Sequence, residues 1–170
     1  RHGIRISLPR QVVSSKNAKA VFEKFGSPWV VKSFTEDSNS MSAYLAHTFN
    51  ELVEGISEGV KRRQNILVEE FIVGKVASVH SVPHFRGEMI YVFPPVNVFG
   101  QLSSGEKEKL VGLAKDLHKH IGAEHYLKSN FVLNKRGKVY LLDLDSTPNL
   151  KSYSHFAQAC ESIGAKMHQV

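Results

Sequence analysis

The sequence predicts an α+β fold made of two small αβ lobes with mixed or antiparallel sheets. Three observations point there. Apolar runs follow one another in the order α, β, α, β, β, β, α, β, β, α. Several neighbouring strands are joined by turns too short for a crossover, so they pair antiparallel and do not form a doubly wound parallel sheet. Neither GxGxxG nor GxxxxGK followed by Ser or Thr occurs, which removes the Rossmann and P-loop sites. At 170 residues and 42% hydrophobic content, the chain can bury a real core as one domain, residues 1–170, with lobes of about 12–72 and about 73–164.

Each element has a local reason. Pro9 ends the opening segment. "SSKNAKAVFEKFG" (14–26) reads as a helix capped by Ser14 or Ser15. Ala18, Val21, Phe22 and Phe25 form its apolar face and Gly26 stops it. "WVVKSF" (29–34) is a strand, the polar "TEDSNSMS" (35–42) a loop, and "AYLAHTFNELVEGISEGV" (43–60) a helix. "NILVEEFI" (65–72) is a strand that runs out into acids. "KVASVHSVPHF" (75–85) and "EMIYVFPPV" (88–96) are paired strands, the second ended by Pro94 and Pro95. "SSGEKEKLVGLAKDLHKHIG" (103–122) is the clearest helix, with Leu110, Leu113, Ala114, Leu117 and Ile121 on one face. "LKSNFVLN" (127–134), the turn "KRG" (135–137) and "KVYLLDLD" (138–145) form a hairpin. A last helix covers about 154–163.

Composition narrows the function classes. No apolar run approaches the roughly 20 residues a membrane span needs. The start, "RHGIRISLPRQ", is charged and has no apolar signal-peptide core. Arg1 is not an initiator Met and stands at what reads as a helix end, so a piece of a longer protein is expected. Cys160 stands alone, which fits a reduced helical thiol in a cytoplasmic protein. The net charge of +6 is scattered, with small clusters at 61–63 and 135–136 and no basic stripe interleaved with aromatics. That argues against specific nucleic-acid binding and suits a polyanionic small molecule such as ATP equally well as plain solubility. The nine histidines show no HxH or HExxH spacing on any element and are assigned no metal.

The chemistry concentrates in "KVYLLDLDSTPN" (138–149). Asp143 and Asp145 are two apart on a strand, so both point to one face. Asn130, on the partner strand of the hairpin, could face them. Three oxygen ligands on one patch suit a hard divalent ion that keeps water and phosphate oxygens in its remaining positions. The other reading has one Asp solvated at the strand end and the other bonded to a loop. Lys32 ends the apolar "WVVK", where a lysine can lie over a phosphate or snorkel to solvent. Glu69 and Glu70 end "ILVEE", where a carboxylate can accept from an adenine amino group or a ribose hydroxyl, or simply be solvated.

In order along the chain, "GSPWVVKSF", "NILVEEFIVGK" and "LKSNFVLNKRGKVYLLDLDSTPNL" resemble the ATP-grasp superfamily, and within it the D-alanine–D-alanine ligase family. The resemblance covers about residues 4–164. It implies an ATP-grasp fold whose two αβ lobes clasp a nucleotide. It also implies an ATP- and Mg²⁺-dependent ligase that joins a carboxylate to an amine through an acyl phosphate. Lys32 would contact the α- and β-phosphates, and Glu69, Glu70, Phe71 and Ile72 would line the adenine side. Asn130, Asp143 and Asp145 would hold two Mg²⁺ ions. Lys128 would stabilise the transferring phosphoryl group, Asn149 would stand at the glycine whose N–H helps the oxyanion, and Ser154 near the substrate carboxylate. The partners implied are ATP, a small-molecule substrate, and either a second copy in a homodimer or the family's N-terminal domain, which is missing from this sequence.

The chain departs from that pattern at several points. The metal trio is Asn, Asp, Asp in place of Asp, Glu, Asn, with the same formal charge. Lys128 replaces an arginine and loses its bidentate fork. Val76 falls where an acid serves the ribose hydroxyls. "TEDSNSMS" has no glycine to bring backbone close to a phosphate. Only "NVFGQL" (97–102) stands where a long substrate-covering loop is expected. The open alternatives are an ATP-grasp module that binds nucleotide or a partner without turnover, and an ATP-grasp ligase with another substrate.

Overall fold

A computed structural model describes residues 6–13, 18–34 and 41–170. The expected caps Ser14 and Ser15, the helix end at Arg1 and most of the 35–42 loop lie outside the described residues. The chain divides into two compact units, Pro9–Ile72 and Val73–Val170, the second also taking residues 6–8.

The first unit carries β1 (Gln11–Val13), α1 (Ala18–Lys24), β2 (Trp29–Phe34), β3 (Met41–Ala46), α2 (Phe49–Lys61) and β4 (Asn65–Glu70). Its sheet runs β1-β4-β2-β3, antiparallel throughout. Val21, Phe25, Leu52 and Ile56 from the helical side meet Trp29, Val31, Ile66 and Val68 in one buried cluster. The Trp29 indole N–H satisfies the Phe25 carbonyl at 3.0 Å, so the ring is buried without an orphaned donor. Phe22, expected on the buried face of α1, is 55% exposed.

In this first unit two strands, β1 and β3, escaped the sequence reading, and the helix expected from residue 43 starts later. Thr48 Oγ1 accepts from the Glu51 N–H at 3.3 Å, and Glu51 Oε2 accepts from the N–H of Thr48 at 3.4 Å and of His47 at 2.7 Å. This capping box fixes the start of α2 at Phe49. Residues 41–46 instead pair one for one with β2. β1 borders β4 on the opposite edge of the sheet.

The second unit holds β5 (Gly74–Pro83), a 3-10 turn at Phe85–Gly87, β6 (Ile90–Val92), β7 (Val96–Phe99), α3 (Ser104–Ile121), β8 (Leu127–Asn134), β9 (Val139–Asp145) and α4 (His155–Glu161). Its sheet runs β6-β5-β8-β9, with β7 also on β5, and every ladder between these strands is antiparallel. The strand expected over 88–96 is shortened to Ile90–Val92 and stops before Pro94 and Pro95, which lack the N–H a ladder needs, while β7 forms a strand on residues 96–99 where a loop was expected. Leu110, Ala114 and Leu117 of α3 pack on Ala77, Val79, Phe131, Leu133, Val139 and Leu141. Ile121, in the last turn, is exposed. Gly74 lets β5 start tight against β8, since a Cβ there would come within 2.0 Å of the Leu133 carbonyl oxygen.

One irregularity decides which way β9 points its acids. Leu141 pairs with Phe131 and Asp143 with Asn130, so two steps on β9 match one on β8 and Leu142 is a bulge. Val139 and Leu141 face the α3 core. In a regular strand Asp143 and Asp145 would face it too, because they share that parity. The bulge turns them to the other side.

Candidate functional site

The side of the second sheet away from α3 carries six polar side chains in register. Ser78 stands beside Asn130 and Asn130 beside Asp143; His80 stands beside Lys128 and Lys128 beside Asp145. The expected approach of Asn130 to the acids is therefore present. Asn130 Nδ2 donates to Asp143 Oδ1 at 2.6 Å, and Ser78 Oγ donates to Asn130 Oδ1 at 2.5 Å. His155 Nδ1, in the first turn of α4, lies 3.4 Å from Ser78 Oγ. The Asn130 amide is thereby held at both ends, and it aims Asp143.

The second rung is an ion pair. Lys128 Nζ lies 3.0 Å from Asp145 Oδ2, and the Thr147 N–H donates to Asp145 Oδ1 at 2.8 Å. Partial burial opposes ionisation of Asp145, but the Thr147 N–H and the Lys128 ammonium outweigh it and hold its pKa below the usual carboxylate value. His80 lies under this rung, fully buried, with Nδ1 2.7 Å from the Tyr126 hydroxyl. Burial, then the nearby charge of Lys128, pushes its pKa down to about 3, so it is neutral at physiological pH. Its Nε2 is buried with no hydrogen-bond partner among the described residues. The Tyr126 hydroxyl is pushed well above its ordinary value, chiefly by burial.

Ser78, His80, Tyr126 and His155 went unremarked in the sequence. A signal existed for the first two. "ASVH" (77–80) alternates apolar and polar residues inside an apolar strand, which marks a polar face opposite the core.

The remaining expected residues are placed as follows. Ser154 is the N-cap of α4, its hydroxyl accepting from the Ala157 N–H at 3.1 Å. Asn149 lies in the segment before α4 and turns its side chain onto the Lys151 N–H at 3.1 Å. In the first unit, Lys32 is buried and its Nζ lies 2.8 Å from Glu69 Oε2, also buried. Glu70 grips Arg10, accepting from its backbone N–H at 2.9 Å and from Nε at 2.6 Å. β4 ends at Glu70; Phe71 lies beyond it with its N–H on the Pro28 carbonyl at 3.1 Å, followed by Ile72.

Of the described residues, no group of three or more His, Cys, Asp and Glu could hold a metal. Asp143 Oδ1 accepts only the neutral Asn130 amide on its rung. Asp145 has a cation on one oxygen and an N–H on the other.

No protein-family model matches the chain. It is 23% identical over 173 residues to a curated D-alanine–D-alanine ligase of Geobacter sulfurreducens, covering 89% of this chain and 53% of that protein. Among solved structures, D-alanyl-alanine synthetase A of Vibrio cholerae superposes with a TM-score of 0.77 at 18% identity, over 96% of this chain and 57% of that one. The fold is ATP-grasp. A Bacillus anthracis D-alanine–D-alanine ligase complexed with ATP gives 0.74 at 16% identity, covering 94% of this chain and 54% of that one. An ADP complex of N5-carboxyaminoimidazole ribonucleotide synthetase gives 0.72 at 16%, over 91% and 44%. The chain is thus similar to D-alanine–D-alanine ligases and spans about half the length of the curated relatives it matches. Among its described residues no helix is long and apolar enough to cross a membrane.

Proposed function

We propose that this chain is the nucleotide-binding and catalytic region of a cytoplasmic ATP- and Mg²⁺-dependent ligase that joins a carboxylate to an amine, of the D-alanine–D-alanine ligase kind. The observation that carries this reading is the register of Ser78–Asn130–Asp143 and His80–Lys128–Asp145 across three strands of an ATP-grasp fold. A substrate carboxylate oxygen attacks the γ-phosphorus and ADP leaves. An amine then attacks the acyl carbon and phosphate leaves. A divalent ion would supply charge neutralisation on the phosphate oxygens. Asp143, aimed by Asn130 and Ser78, is the residue that would hold it. Lys128 serves as the point charge beside the transferring group. Glu69 to Ile72 are the segment proposed for the adenine side, Lys32 for the phosphates, Asn149 for the oxyanion and Ser154 for the substrate carboxylate. The partners proposed are ATP, a small-molecule substrate, and either a second copy or an N-terminal domain.

The experiment has two arms. Mg·ATP should raise the melting temperature of the chain, by about 2.7 kcal/mol of stabilisation at a concentration 100 times Kd. ATP with D-alanine should then release phosphate and yield the dipeptide by mass spectrometry. No thermal shift up to millimolar ATP would remove the nucleotide reading altogether. A shift with no phosphate release favours the second reading, a nucleotide-binding module without turnover. One observation favours that alternative: Lys32 and Lys128, the proposed phosphate cations, each lie within 3.0 Å of a carboxylate. A third reading, an ATP-grasp ligase with another substrate, predicts phosphate release with a different acid.

A further inference from the structure

The two acids of β9 differ in what holds them. Asp145 is directly opposite Lys128 in the ladder, and its two oxygens accept from Lys128 Nζ and the Thr147 N–H. Asp143 is opposite Asn130, a neutral amide anchored by Ser78. Any cation bound to Asp145 at the roughly 2.1 Å of a Mg²⁺–oxygen bond would sit next to an ammonium already 3.0 Å from that carboxylate. Two cations on one carboxylate, in a partly buried place, repel strongly. Asp143 has no such neighbour on its own rung. Two carboxylates and one lysine leave a net charge of −1 on this face, which attracts a cation.

We infer that Asp145 is the counterion of Lys128 and not a metal ligand, so that this site takes one divalent cation with its nucleotide, on Asp143. Lys128 stands where a second cation would otherwise be needed, a fixed positive charge delivered by the sheet. This rests on the nucleotide-binding reading above. It makes Asp145 a positioning residue: by holding Nζ it keeps the lysine over the polar face instead of in solvent.

The test is the number of Mn²⁺ ions taken up per bound nucleotide, followed by electron paramagnetic resonance of the free ion, with a non-hydrolysable ATP analogue. The wild-type chain should take up one. Asp143→Asn should weaken Mn²⁺ by about tenfold or more, whereas Asp145→Asn should change it by less than about threefold. Lys128→Met, similar in length but neutral, should raise the uptake to two by releasing Asp145. Two ions per nucleotide in the wild-type chain would overturn the inference while leaving nucleotide binding intact. Equal losses in Asp143→Asn and Asp145→Asn would overturn it too. Absence of nucleotide binding to the wild-type chain is a different failure: it overturns the proposed function, and this inference with it. The wild-type count needs no variant, so a misfolded substitution cannot shield the idea.

Discussion

Lys32–Glu69 in the first unit and Lys128–Asp145 in the second are both lysine–carboxylate pairs made between neighbouring strands, at 2.8 and 3.0 Å. Their surroundings differ. The first pair shows 9% and 6% of its side chains to solvent, the second 25% and 41%. Buried charges are costly to desolvate, and once paired they are very costly to unpair. Half-exposed charges are screened by water, and each can leave its partner at little cost. The first pair therefore behaves as part of the framework, while the second adds little to stability and serves to hold the lysine at the polar face. Sequence position alone, a lysine near the end of an apolar strand in both cases, does not tell them apart.

Breaking the buried pair should give the largest effect. Lys32→Met strands Glu69 in the interior and should cost about 3–5 kcal/mol in chemical denaturation, with Lys32→Met/Glu69→Leu recovering most of it. If the single variant loses under about 1 kcal/mol, the two pairs are alike and the contrast fails. A nucleotide assay on Lys32 variants must therefore be read against their stability.

Gly74→Ala comes next. It should cost about 3 kcal/mol, the upper end for overpacking, because the atom it meets at 2.0 Å belongs to the backbone of β8. A variant as stable as wild type would mean that β5 can slide away from β8 without penalty.

The third prediction sharpens the contrast through pH. His80 has its pKa lowered from 6.5 to about 3 in the folded chain. As pH falls below about 6.5 the unfolded chain binds a proton that the folded chain refuses, so stability falls with pH until about 3. The slope is at most about 1.4 kcal/mol per pH unit, or about 2 kcal/mol between pH 6.5 and 5. His118, whose pKa is also lowered by burial, adds in the same direction. His80→Phe should flatten this part of the curve, and an unchanged slope would place the acid sensitivity elsewhere.

The smallest effect belongs to the exposed pair. Asp145→Asn should change stability by under about 1 kcal/mol at low salt, and less at high salt. A loss rivalling that of Lys32→Met would show that the second pair also belongs to the framework.

The hairpin at 127–145 was legible because two apolar runs flank a turn, and that placed Asn130 beside Asp143. α3 was legible from its 3/4 spacing. β3 was not: Ala43, Tyr44 and Leu45 are all exposed on an edge strand, so no alternation of buried and exposed residues reaches the sequence. Its boundary was nonetheless written in Thr48 and Glu51, the two halves of the capping box. Ser78 and His80 join the site only through register with β8, Ser78 lying 52 residues from Asn130 along the chain but adjacent to it across the ladder. Motif spacing along a single strand cannot reveal such neighbours. The pairing of Lys32 with Glu69 is likewise a contact between strands, hidden from either segment read alone.

The bulge at Leu142 works as a change of reading frame. A strand is read two residues at a time, one for the core and one for the outside, and one extra residue reverses the meaning of everything after it. "VYL" before the bulge is written for the α3 core, and "DLD" after it for the opposite side. Loss of one residue at 142 would restore regular alternation with the acids still opposite Asn130 and Lys128, whereas pairing all the present residues without a bulge would turn two carboxylates into an apolar interior. An alignment at about 20% identity to a strand without the bulge that opens no gap here would make that inversion on paper, assigning the acids of β9 to positions that face the wrong side of the sheet.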